Sequence, residues 1–184
     1  MSFSHLPTKL AFVDVETTGL YPPGDRIIEI GLVRVEDGVV TKRYKQLVDP
    51  ESSISSFIAK HTGISQSMLT NAPTFPDIQD DILALLEDCT FVAHNVDFDY
   101  QFFRGEFNRV GVDFSAPRFC TAELSRRLYS DYSSHGLSSI IKRFGFNCPA
   151  RHRALDDATV LWDFYQKVCT DFPPYIIANC LAIR

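Results

Sequence analysis

LAFVDVETTGLYPPGDRIIEIGLVRVEDGVVTKRYKQLV, residues 10–48, holds the pattern that decides the fold. Leu10 to Val15 form a short apolar run, closed by the turn-forming residues from Gly19 to Gly24, and residues 26–36 follow as a second, β-branched stretch. Asp37-Gly38 is a two-residue hairpin signal with strand composition beyond it, from Val39 to Val48. The second and third strands are therefore expected to form an antiparallel hairpin, and the chain to open as a three-stranded meander.

From Ser52 the character changes. Two short polar helical pieces, 55–61 and 65–70, end at Asn71-Ala72-Pro73, and Ile78, Ile82, Leu83, Leu85 and Leu86 then mark an amphipathic helix. A short strand is expected from Thr90 to His94. Phe98, Phe102, Phe103, Phe107 and Val110 recur at helical spacing up to Gly111, and Phe119 to Thr121 suit a last short strand. Three helices, about 122–129, 137–144 and 154–169, complete the series. Meandering strands followed by alternating helices and strands make an α/β domain with a mixed sheet. There is no internal repeat or low-complexity segment. One domain is expected over residues 1–171; residues 172–184, within DFPPYIIANCLAIR, read as a docking tail or the start of a linker.

With 184 residues, 45% of them hydrophobic and 22% charged, the chain has the composition of an ordinary globular protein, which excludes disorder, collagen and coiled coil. Twenty-three acidic against 18 basic residues leave a charge of -5. That argues against holding nucleic acid mainly through a broad basic surface, but not against an enzyme acting at a nucleic-acid end. Cysteines 89, 120, 148, 169 and 180 form no C-x-x-C pair and read as reduced thiols, which suits a cytoplasmic location. The start, MSFSHLPTKLAFVDVE, shows no export signal, and no apolar run reaches the ~18 residues that span a bilayer, so no membrane partner is expected.

Asp14 and Glu16 are two residues apart in or just after the first strand and project to the same side. Taken alone, Glu16 also suits the turn it begins, and Asp14 a cap or an arginine pair. Asp99 has Phe102, Phe103 and Phe107 at i+3, i+4 and i+8, so it borders a face that should be buried, whereas Asp97 fits a helix cap. Asp157 repeats the pattern with Val160, Leu161, Phe164 and Tyr165, while Asp156 faces outward; a helix dipole is the competing explanation for both. Four inward carboxylates from three elements repel one another unless neutralised, and few internal cations are on offer. Oxygen ligands suit Mg2+ or Mn2+, and two such ions about 4 Å apart activate a water and stabilise the leaving oxygen of a phosphodiester displacement. His152, in the loop before the last helix, is placed to act as a general base beside them. His94 and Asn95 serve either the turn before Asp99 or contact with substrate.

Asp14-x-Glu16-Thr17-Thr18-Gly19, His94-Asn95-x-x-Phe98-Asp99, and His152 five residues before Asp157 together resemble the three motifs of the DEDDh 3'-5' exonucleases. The resemblance spans most of the chain. It implies an RNase H-like fold, with a central mixed five-stranded sheet whose first strand carries Asp14 and Glu16. It further implies that Asp14, Glu16, Asp99 and Asp157 hold two metal ions, Mg2+ or Mn2+, that His152 deprotonates the attacking water, and that nucleoside 5'-monophosphates leave from a 3' end. By the same likeness Thr17, Thr18, Gly19, Leu20 and Phe98 line the pocket of the terminal nucleotide, His94 and Asn95 lie near it, and Ile64 packs near the terminal base. CTAELSRRLY (120–129) and HGLSSIIKRFG (135–145) resemble the DnaQ-like group, which includes the proofreading subunit of bacterial DNA polymerase III; exonuclease domains fused to a UvrC-like nuclease are similar too. A single-stranded or frayed DNA 3' end is thus the expected partner, in proofreading or repair. A polymerase or a fused nuclease domain is a further candidate partner, although no recognisable polymerase-binding extension follows. RNA stays open as substrate because nothing in the motifs reads the 2'-OH. A catalytically silent binding module is the reading of another class, disfavoured because all four acids and the histidine are present.

Overall fold

The computed structural model describes residues 6–184; residues 1–5, part of the stretch read for an export signal, lie outside the described residues. β1 (Lys9–Thr17), β2 (Ile27–Glu36) and β3 (Val39–Leu47) form the antiparallel meander. Between β2 and β3, Asp37 at φ 49° and Gly38 at φ 79° supply the left-handed pair whose twist matches a two-residue hairpin. The short helices α1 (Ser56–Thr62) and α2 (Gln66–Leu69) follow, and α3 (Phe75–Leu86) leads into β4 (Thr90–Ala93). α4 (Val96–Arg109) connects β4 to β5 (Arg118–Cys120), and α5 (Thr121–Leu128), α6 (Leu137–Phe144), α7 (Ala154–Asp171) and α8 (Pro174–Cys180) complete the chain. β4 pairs parallel with β1 and β5 parallel with β4, giving a mixed five-stranded sheet in the order β3-β2-β1-β4-β5.

Both faces of this sheet are covered, which is why its central strand reads as a continuous apolar run. Ala11, Val13 and Val15 pack with Ile78, Ile82, Phe103 and Phe107 of α3 and α4, while Leu10 and Phe12 pack with Leu161, Phe164 and Tyr165 of α7. Asp14 and Glu16 continue the Leu10–Phe12 side of the strand, so the α7 face stops being apolar where the two acids begin.

α7 lies unusually close to β2. Gly31 is the register partner of Asp14. A Cβ on Gly31 would lie 2.1–2.2 Å from main-chain atoms of Ala154 and Leu155, so only glycine admits the helix here. Glu29, the register partner of Glu16, is fully buried and caps α7 from across the sheet. It accepts from Ala154 N–H at 2.9 Å and from Arg153 Nη2 at 2.7 Å.

After Phe172 the chain stays on the domain. Ile177 of α8 is buried in the α7-side core, and Arg184 exchanges main-chain hydrogen bonds with Arg118 at 3.0 and 3.1 Å. Arg184 also pairs with Asp97 at 2.7 Å and with Glu123. Asp97 is therefore not the cap the sequence suggests; Asn95, in a left-handed conformation at φ 64°, takes that position. Among the described residues no helix is long and apolar enough to cross a membrane.

Candidate active site

The acids converge at the C-terminal ends of β1 and β4, the end at which open α/β sheets bind their ligands. β4 stops at Ala93, the chain turns through His94 and Asn95, and the first turn of α4 delivers Asp99 beside β1. Val15 N–H donates to Asp99 Oδ1 at 3.1 Å and fixes that junction. From the other side the 151–153 loop, with His152 held at φ 63°, leads into α7 and brings in Asp157. Asp14, Glu16, His94, Asn95, Phe98, Asp99, His152 and Asp157 line one cleft of about 370 Å3, together with Gly136, Leu137 and Arg151. Ligand atoms of Glu16, His152 and Asp157 lie within 4.8 Å of one another. A larger cavity, about 760 Å3, lined by residues between Leu83 and Cys89 and between Val112 and Pro117, contains none of the candidate catalytic or substrate-binding residues.

The remaining expected pocket residues stand apart. Thr17 Oγ1 donates to Gly19 O at 2.6 Å and Thr18 Oγ1 to Asp25 Oδ1 at 3.0 Å, so both hydroxyls are engaged in shaping the loop after β1. Gly19 lies against the Asp25 carboxylate, and Leu20 beyond it is 83% exposed. Ile64 is fully buried with Ile28 and Leu69, and its side chain does not open into the cleft.

Several residues of the site escaped the sequence reading. Arg151 Nη1 forms an ion pair with Asp157 Oδ2, placing one cation among the acids. Asp157 also accepts from His152 N–H at 3.2 Å and from the Cys148 thiol at 3.6 Å. Arg153, in the same loop, is committed to Glu29. The signal for Glu29 was present, an acid between Ile28 and Ile30 in the apolar first part of the strand, residues 27–33.

The exonuclease model, RNase_T, matches residues 11–165, from β1 through most of α7. The chain belongs to the exonuclease family. It is 40% identical over 149 residues to a PolC-type DNA polymerase III of Thermotoga petrophila, an alignment covering 80% of this chain and 11% of that protein. Against the 3'-5' exonuclease DinG of Bacillus subtilis it is 35% identical over 154 residues, covering 83% of this chain and 16% of DinG. The chain thus spans a small part of the curated relatives it matches. Among solved structures, the nuclease domain of 3'hExo, a DEDDh family member bound to rAMP, superposes with a TM-score of 0.78 at 18% identity over 96% of each chain. The zinc-bound complex of E. coli ExoI with single-stranded DNA gives 0.83 at 19% identity, over 92% of this chain and 42% of that one. The mixed five-stranded sheet with its flanking helices is the RNase H-like fold of these exonucleases.

In this exonuclease domain the acids destabilise one another's charge. Burial raises the pKa of Asp14 well above the ordinary carboxylate range, and the neighbouring Asp99, Asp157 and Glu16 raise it further. Burial and Asp157 push Glu16 up to about 7, and burial pushes Asp99 up to about 8 against the opposing hydrogen bond from Val15 N–H. His94, whose Nδ1 shares a hydrogen bond with Thr121 Oγ1 at 3.0 Å, is lowered to about 4 by burial. Burial, with Arg151 and His61 adding to it, also lowers the pKa of His152. Three carboxylates with raised pKa values, with Asp157 beside them and one guanidinium among the four, leave negative charge uncompensated, and their hard oxygen donors fit a divalent cation.

A stability profile follows from these shifts. Between about pH 4 and pH 8 the native state keeps protons on Asp99 and Glu16 that the unfolded chain has released, so the metal-free protein loses stability as pH rises through that window. Its melting temperature in EDTA is expected to fall from pH 5 to pH 8, and saturating Mg2+ to restore most of the loss at pH 8. A flat profile in EDTA would show that the acids are not held protonated.

Proposed function

We propose that the chain is a metal-dependent exonuclease that removes nucleoside 5'-monophosphates from the 3' end of DNA, as a module of a replication or repair protein. One observation carries the reading: two acids of β1, one of α4, one of α7 and a histidine share one cleft. Divalent ions held by Asp14, Glu16, Asp99 and Asp157 would supply positive charge to the attacking water and the leaving oxygen. With its pKa lowered, the His152 ring is neutral at pH 7 and able to accept the water's proton. Phe98 and Asn95 line the cleft beside the acids and would contact the terminal nucleotide. DNA is the favoured polymer because the relatives at 33–40% identity include PolC-type polymerases. The packing of α8 and Arg184 supports a functional unit that extends through residue 184.

The test is digestion of 5'-labelled single-stranded DNA and RNA of one sequence with Mg2+ or Mn2+. A ladder shortening from the 3' end, faster on DNA and absent in EDTA, is expected. A faster ladder on RNA would reassign the polymer, and no cleavage of either would overturn the reading. His152→Ala is expected to lower turnover by ~100-fold or more. Mg2+-induced stabilisation should survive in this variant, since all four carboxylates remain; unchanged turnover at pH 7 would remove His152 from the proton transfer.

A further inference from the structure

Helix α1 presents two rings on one face, Phe57 and His61, four residues apart. Phe57 is 72% exposed, and its ring plane lies within 5° of that of His61 with centroids 5.9 Å apart. The His61 ring in turn lies 3.9 Å from that of His152, tilted by 43°. Three aromatic rings thus run in sequence from open solvent to the histidine at the rim of the acidic cleft.

The rest of α1 is well anchored. Ile58 packs on the Ile28–Ile64–Leu69 cluster, Ser55 Oγ caps the helix by accepting from Ile58 N–H at 3.2 Å, and Gly63 N–H returns to Ala59 O at 3.0 Å. Nothing in that packing uses Phe57. The Phe57 ring therefore leaves most of its surface open to a partner. Its continuity with His61 and His152 says where the partner comes from: it is bound to the same cleft. An aromatic face suits a nucleobase, which offers a π-face of its own, and base stacking on aromatic side chains tolerates any sequence.

We infer that Phe57 and His61 form a stacking platform for an unpaired base at the 3' end of the substrate strand, with His61 also steadying the ring of His152. The inference rests on the exonuclease reading of the cleft. It gives the expected preference for single-stranded or frayed ends a cause in named residues: a paired terminal base is held in its duplex by stacking and pairing, whereas an unpaired one is free to stack on the platform.

The experiment measures binding of a 5'-fluorescein-labelled single-stranded oligodeoxynucleotide, and of the matching blunt duplex, by anisotropy with Ca2+, alongside hydrolysis with Mg2+. Phe57→Ala is expected to weaken single-strand binding by about tenfold or more, a change of the size that loss of one stacked base produces. Duplex binding should change far less, and Phe57→Trp should retain single-strand binding. In hydrolysis the defect of Phe57→Ala is expected in KM, whereas His61→Ala also lowers kcat and His61→Phe restores it. Tyr175→Ala, which removes an exposed ring on α8, serves as the control that changes neither. If Phe57→Ala binds and digests single strands like wild type, or weakens duplex and single strand equally, the platform is wrong while the exonuclease reading stands. If wild type neither binds nor digests the single strand, both fall.

Discussion

Asp14→Asn is expected to abolish hydrolysis, with a loss on the order of a thousandfold or more, while the metal-free protein becomes more stable. The two effects share one cause. Asp14 sits where burial and the charges of Asp99, Asp157 and Glu16 all oppose its ionisation. An amide of nearly the same shape removes that repulsion and leaves the packing of β1 untouched, but removes a negative ligand from the divalent site. The gain in stability should grow with pH, because at low pH the native carboxyl is protonated and already resembles the amide. In a chain of this length each kcal/mol raises the melting temperature by about 2–4 °C, so a shift of a few degrees at pH 8 in EDTA is measurable. In the same variant Mg2+ should give much less stabilisation than in wild type. A variant that melts lower than wild type in EDTA at pH 8, or that keeps hydrolysing, would remove Asp14 from the metal-binding group.

The residues that were legible in the sequence are those whose environment is set by their own element. Asp14 and Glu16 could be placed together because a strand alternates with a period of two, and Asp99 and Asp157 could be turned inward because their i+3 and i+4 neighbours are apolar. The hairpin at Asp37-Gly38 was legible because few dipeptides adopt two left-handed conformations in a row. What stayed hidden depends on pairing across the chain. Arg153 meets Glu29 over a separation of 124 residues, and Arg26 meets the buried Glu106 over 80, with no local periodicity to announce either pair. The same limit explains Thr17 and Thr18. A motif marks these hydroxyls as belonging near a site, but only the folded loop shows them bonded to Gly19 and Asp25. His61 had no reading at all from sequence, because its significance comes from the 3.9 Å approach of the 151–153 loop.

That loop and α7 depend on Gly31, and Gly31→Ala is expected to damage stability and activity together. The added Cβ would meet main-chain atoms of Ala154 and Leu155 at 2.1–2.2 Å, and a helix backbone cannot yield as the tip of a flexible side chain can. Either β2 or the start of α7 must move, an overpacking cost of roughly 1–3 kcal/mol or more. Movement of α7 also stretches the 2.9 Å hydrogen bond from Ala154 N–H to Glu29 and the Arg153 pair beside it. Stripping partners from a buried charge costs about 3–5 kcal/mol, which combined with the clash is a large part of the 5–15 kcal/mol that typically holds a domain folded. A fall in melting temperature of about 10 °C or more is therefore expected for Gly31→Ala, and failure to accumulate as folded protein for Gly31→Val. The fraction of Gly31→Ala that does fold should hydrolyse poorly, because His152 and Asp157 are carried by the displaced segment. Glu29→Gln separates the two contributions: it retains an acceptor for Ala154 N–H but removes the charge facing Arg153, so it should destabilise less than Gly31→Ala while leaving the seat of α7 in place. A Gly31→Ala protein that melts within about 2 °C of wild type and retains full activity would mean that α7 does not depend on this close approach.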